Sequence, residues 1–118
     1  MEVDFGEWEG KTAAEFSALD PASWSNWLAD PSTTRAGRTG ETGEEIITRL
    51  DSFYQELQEN YQGKTVLIVG HNSINRLFLA HCLGMPLRNY RRIVQENSAL
   101  TLLTIDKHAG FNLLKLNA

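Results

Sequence analysis

Three features of this 118-residue chain predict an α/β fold. Thr65-Val66-Leu67-Ile68-Val69 is an apolar run rich in β-branched residues that stops at Gly70, with His71 directly behind it and a helical pattern beyond. Ile46, Ile47, Leu50, Phe53, Tyr54, Leu57 and Tyr61 recur at three- and four-residue steps, the spacing of one long amphipathic helix. Residues 99–105 and 111–116 read as two more strands, and the short link 106–110 predicts a hairpin.

The other elements follow in chain order. The first ten residues are aromatic and punctuated by Gly6 and Gly10, which predicts an ordered loop. Thr12-Ala13-Ala14-Glu15 has the capping-box pattern and opens a short helix over 13–19. Asp20 then serves as the N-cap of a second helix with Pro21 at its first position, and Trp24, Trp27 and Leu28 fall on one face. Residues 31–42 are polar and contain glycine, hence a loop. Thr42-Gly43-Glu44-Glu45 is a second capping box, at the head of the long helix that Gly63 ends. After the strand at 65–69, Ile74, Leu77, Phe78 and Leu83 mark a helix that stops at Gly84, and Pro86 prevents its continuation. Residues 85–97 are polar and basic. No repeat or compositional break divides the chain, so residues 1–118 are read as a single domain.

Composition excludes several classes. A net charge of −4 and a pI near 5.3 argue against a nucleic-acid binder, which needs a basic face. No apolar run approaches a membrane span, and the acidic start does not resemble a signal, so the expected location is cytoplasmic. Cys82 is the single cysteine, which rules out an intrachain disulfide, and its apolar helical setting marks it as a small core residue. His81 and His108 have no partner at metal-ligand spacing, so neither a metal nor another cofactor is expected.

His71 is read three ways from the residues alone: acid–base group, phosphate ligand, or structural histidine bonded to a carbonyl. Its place at a strand's carboxyl edge is where α/β folds bind ligands. The turn beside it exposes backbone N–H groups that favour an anion, and together these point to phosphate chemistry. Glu2, Asp4, Glu7 and Glu9 read by default as a solvated acidic loop, and Glu41 as a surface residue favoured by the helix dipole. Arg88, Arg91 and Arg92 read as a solvated basic face that could also draw in an anionic substrate. Trp8, Trp24 and Trp27 read as packing.

These segments together resemble the histidine phosphatase, or phosphoglycerate mutase-like, superfamily. Glu2-Val3-Asp4-Phe5-Gly6-Glu7-Trp8-Glu9-Gly10 is similar to its motif of glutamate, two residues, Phe-Gly, one residue and Trp-Glu-Gly. Gly40-Glu41-Thr42, Val69-Gly70-His71-Asn72 and Gln95-Glu96-Asn97-Ser98 resemble its later motifs, in the same order. The Trp-Glu-Gly form resembles the small bacterial branch that includes α-ribazole phosphatases.

The resemblance implies a three-layer α/β sandwich with a mixed, mostly parallel sheet. It implies that His71 neutralises the transferring phosphoryl group and that the Asn72 amide adds a hydrogen bond to it. Glu2 would be the acid that protonates the leaving alcohol and then activates water, with Glu41 supporting the site. The expected ligands are a phosphorylated small molecule or inorganic phosphate, handled without a metal. Family members also open with a strand ending in Arg-His-Gly, whose histidine is phosphorylated, and no such tripeptide occurs in this sequence. The expectation is therefore a C-terminal portion of that fold, inactive as an isolated chain. Its open sheet would close directly, pair with a second copy as a homo-oligomer, or take a missing N-terminal half. The alternative reading is a non-catalytic phosphate-binding or self-associating module on the same scaffold.

Overall fold

The three N-terminal caps are formed by the side chains their motifs name. In the computed structural model, which describes residues 2–106 and 110–118, helix α1 spans Ala13–Leu19 and α2 spans Pro21–Ala29. Thr12 Oγ1 accepts the Glu15 N–H at 3.2 Å, and the Glu15 carboxylate accepts the Thr12 N–H at 3.4 Å, closing the capping box. The Asp20 carboxylate accepts from the Ser23 hydroxyl at 2.7 Å and from its N–H at 3.2 Å. Those two bonds, with Arg38 behind them, hold the Asp20 carboxyl below its ordinary pKa. Helix α3 spans Gly43–Asn60, and its N-cap Thr42 accepts the Glu45 N–H at 3.2 Å. Only that arm of the second capping box forms, because the Glu45 carboxylate pairs with Arg35 at 2.7 Å.

The tryptophans pack as their spacing predicts, with one correction. Trp27 is 1 % exposed and donates its indole N–H to the Tyr90 hydroxyl at 3.0 Å. Trp8 stacks on Phe16 and meets the Trp24 and Trp27 rings edge-on. Leu28, expected on the same face, is exposed. A three-residue 3-10 turn over Gly6–Trp8 delivers Trp8 to this cluster.

Helix α4 spans Asn72–Cys82 and buries Ile74, Leu77, Phe78 and Leu79. Its Phe78 ring stacks on Tyr54 of α3 at 4.0 Å between centroids, and Phe111 meets both rings edge-on. Pro86 then starts a 3-10 helix over Leu87–Arg92 that the polar composition of 85–97 does not reveal. It forms because Tyr90 is buried between Trp27 and α4.

The sheet differs most from expectation. Strands β1 (Leu102–Asp106) and β2 (Gly110–Lys115) form an antiparallel hairpin, with Leu103 opposite Leu113 and Ile105 opposite Phe111. Leu100 and Ala118 exchange two backbone hydrogen bonds beyond its open end. Residues 107–109 of the link, and with them His108, lie outside the described residues. The strand predicted at 65–69 is not formed: residues 64–71 are neither helix nor strand, and Leu67 and Val69 are 77 % and 90 % exposed. A strand requires a neighbour for its N–H and C=O groups, and none of the described residues supplies one. The sheet described is thus two-stranded and antiparallel, in place of the mixed, mostly parallel sheet of a three-layer sandwich.

Candidate functional site

The site begins where two glycine-bearing loops interlock. Glu7 N–H donates to the Gly37 carbonyl at 3.0 Å, and Glu41 N–H donates to the Asp4 carbonyl at 2.9 Å. A Cβ on Gly37, whose φ is +57°, would run into the Phe5 carbonyl oxygen, and one on Gly40 into the Asp4 carbonyl oxygen. The glycines of the 35–41 loop therefore let it lie directly against the backbone of 4–8.

Glu41 stands at this seam. Its carboxylate accepts the Asp4 N–H at 2.8 Å and takes both arms of the Arg49 guanidinium, Nε at 2.9 Å and Nη2 at 3.1 Å. The Arg49 fork, with the Asp4 N–H, holds the Glu41 carboxyl below its ordinary pKa against the opposing effect of burial. The same Nη2 donates to the Glu2 carbonyl at 3.2 Å. Glu41 is thus a clamp for residues 2–5, where the residues alone suggested a surface group stabilised by a dipole.

Glu2 in turn is docked on the start of α4. Its Oε1 accepts the Ile74 N–H at 3.0 Å and its own neighbour's Val3 N–H at 2.9 Å, while Oε2 is 3.4 Å from the Ser73 N. A helix start has N–H groups without intrahelical partners, and a carboxylate there satisfies them and complements the helix dipole. His71 is the N-cap residue of α4 in extended geometry, but its side chain makes no capping bond and is exposed. Glu2 takes the role the cap leaves open. Asn72 donates its side-chain amide to the Gln95 carbonyl at 3.4 Å, joining the head of α4 to the turn before the hairpin.

Of the four residues singled out from sequence, Glu2, His71 and Asn72 therefore gather at the head of α4, and Glu41 reaches them through Arg49. Two arginines escaped the sequence reading because a lone arginine in an amphipathic helix looks like a solvated residue. One is Arg49. The other is Arg76, one turn after Asn72, whose guanidinium lies 5.3 Å from the Tyr90 ring centroid and whose buried Nε has no hydrogen-bond partner. Burial lowers the Arg76 pKa, with smaller opposed effects from Tyr90 and Glu2 on one side and Arg91 on the other.

Among the described residues no three His, Cys, Asp or Glu side chains gather as a metal site would require. His81 pairs with Asp51 at 3.2 Å, in the last turn of α4 and away from the head of that helix. Burial pushes the Cys82 thiol up to about 12, which suits a packing residue and not a nucleophile. No helix among the described residues is long and apolar enough to cross a membrane.

The sequence model of the histidine phosphatase superfamily (branch 1) matches residues 1–118. The bifunctional protein Rv2228c of Mycobacterium tuberculosis is 39% identical over 71 residues, which are 60% of this chain and 19% of that protein. The solved structure of YhfR from Bacillus stearothermophilus superposes with a TM-score of 0.80 at 26% identity, covering 95% of this chain and 55% of YhfR. The α-ribazole phosphatase of Shigella flexneri superposes with a TM-score of 0.76 at 24% identity, covering 99% of this chain and 57% of the other. The chain thus spans a fifth to a little over half of the lengths of these proteins.

Proposed function

Because this chain belongs to the histidine phosphatase superfamily (branch 1), we propose that it carries the acid and the phosphate-binding histidine of a phosphomonoester hydrolase, without that enzyme's nucleophile. One observation supports the reading above the rest: the Glu2 carboxylate is held on the first amides of the helix that His71 caps. In this reading His71, with the Asn72 amide beside it, neutralises the phosphoryl oxygens of a phosphorylated small molecule. Glu2 gives its proton to the leaving alkoxide oxygen and recovers one from the attacking water. Its Oε1 takes the two short backbone bonds, so Oε2, with one long contact, is the oxygen free to move that proton. Glu41 and Arg49 position Glu2 from behind.

The nucleophile comes from outside these residues, as does the strand that completes the sheet. In the completed protein residues 65–69 pair as a central parallel strand, giving the three-layer sandwich with a mixed, mostly parallel sheet. The exposed Val66, Leu67, Ile68 and Val69 support this, since a buried strand has that composition. The test is hydrolysis of p-nitrophenyl phosphate. The chain alone is inactive, and adding a family N-terminal half that bears Arg-His-Gly restores turnover that His71→Ala abolishes. Failure of rescue, with both pieces folded, would overturn the proposal.

A second reading is favoured by the same exposed segment: a self-associating, non-catalytic module in which 65–69 pairs with a second copy. Light scattering coupled to size-exclusion chromatography separates the two. A dimer that survives dilution supports self-association, and a monomer at all concentrations rules it out.

A further inference from the structure

His71 stands at a join that neither neighbouring segment fixes by itself. Helix α4 begins one residue later, at Asn72, and residues 64–71 are neither helix nor strand. The His71 side chain makes no capping bond of its own. The Glu2 carboxylate, by contrast, is held on the amides of Ser73 and Ile74, inside the helix. The placement of His71 relative to the proposed acid therefore depends on the turn at 70–72.

Asn75 holds that turn on both sides of His71. Its N–H donates to the His71 carbonyl at 3.0 Å, the bond that a helix cap residue accepts from the first turn. Its side chain reaches back past His71 to Gly70. A Cβ on Gly70 would stand 2.5 Å from Asn75 Oδ1, 3.3 Å from its Cγ and 3.4 Å from its Nδ2. The carboxamide thus occupies the space that a side chain at position 70 would take. Gly70 is not one of the glycines with positive φ, so its backbone conformation is open to any residue. What excludes a side chain there is Asn75. Glycine is otherwise the residue that least restrains a chain, and this one follows the unpaired segment 65–69.

We infer that Asn75 is a positioning residue for His71, and that Gly70 is glycine in order to admit its carboxamide. The inference rests on the phosphate reading of His71 and adds the group that sets its geometry. A side chain that binds a phosphoryl oxygen works only when its backbone is held to within about 0.5 Å. Asn75 supplies that restraint through the main chain of 70 and 71. Gly70→Ala and Asn75→Ala should then remove one and the same contact, because a methyl at 70 and the carboxamide compete for one space.

Inorganic phosphate is titrated into the intact chain and into Asn75→Ala, Gly70→Ala and the double variant, at constant pH and ionic strength. The His71 ring signals report binding by NMR, and 15N relaxation reports the order of the His71 backbone. Tryptophan fluorescence checks that each variant is folded, and alanine, the better helix former, leaves α4 intact at position 75. Each single variant is expected to bind phosphate about fivefold more weakly with a looser His71 backbone, and the double variant no more weakly than either. Folded variants that bind phosphate as wild type does overturn the inference, whatever their stability, and leave the phosphate reading intact. Losses that multiply in the double variant also overturn it, since the two residues would then act apart. A looser His71 in the variants, with the wild-type ring unmoved by phosphate, supports the restraint and overturns the phosphate reading. An unmoved ring together with unchanged His71 order overturns both.

Discussion

Arg49 grips the Glu41 carboxylate with Nε at 2.9 Å and Nη2 at 3.1 Å, and the same Nη2 holds the Glu2 carbonyl at 3.2 Å. One guanidinium therefore joins the loop before α3, the helix itself and the segment that carries the proposed acid. Removing either end of this pair takes a charge-assisted bond from a partly buried group.

Glu41→Gln is expected to destabilise the chain by about 1–2 kcal/mol, the worth of a charge-assisted bond partly retained by the amide. Urea unfolding followed by tryptophan fluorescence measures it, and hydrogen exchange at the Asp4 amide should quicken in the variant. The effect depends on pH with a definite sign. The folded Glu41 pKa lies below its ordinary 4.5, so its contribution is complete above pH 4.5 and lost as pH falls through the depressed value. Wild type and variant should converge in stability there.

Gly37→Ala should cost about 2–4 kcal/mol, because the new methyl meets the Phe5 carbonyl at a φ of +57° where L-residues are strained. Gly10→Ala is the control. Gly10 also has positive φ but no atom within 4 Å of its Cβ position, so about 1 kcal/mol is expected. Thermal unfolding of both variants separates collision from conformational strain.

Cys82 should react slowly with a thiol reagent at pH 8 in the folded chain and rapidly in denaturant. Its folded pKa, pushed up to about 12 from an ordinary 9.0, favours folding fully below pH 9.0. That contribution is lost as pH rises from 9.0 toward 12, because the unfolded thiol ionises first. Equal reactivity in the two states would contradict the burial argument.

Tyr90→Phe removes the hydroxyl that accepts the Trp27 indole N–H at 3.0 Å, leaving that N–H buried without a partner. A loss of about 1–3 kcal/mol is expected, together with a shift of Trp27 emission. Trp27→Phe costs more, about 2–4 kcal/mol, since it also opens a cavity at a residue that is 1 % exposed.

The elements legible in sequence were those whose causes are local. Thr12, Asp20 and Thr42 announce three helices because each cap acts within three residues of itself. The hairpin was legible because its two strands flank a short link. Residues 65–69 were misread as a formed strand because their composition describes the burial a strand needs and not whether a neighbour is present to provide it. The half-formed capping box at Thr42 failed for a related reason: Glu45 found a better partner in Arg35, ten residues earlier in the chain. In the site, Glu2, Glu41, His71 and Asn72 were legible through motif order. Arg49 and Arg76 were not, since their partners come from segments remote in sequence.

The tether of Glu2 to α4 has an evolutionary consequence. The donors are main-chain amides of Ser73 and Ile74, so substitutions of those side chains leave the bonds available. The acid's position is buffered against drift in the helix sequence, and only a proline at either position would delete a donor outright. Residue 73 can therefore change without loss of the donor, residue 74 can change within the limits set by its burial in the core, and neither change displaces Glu2.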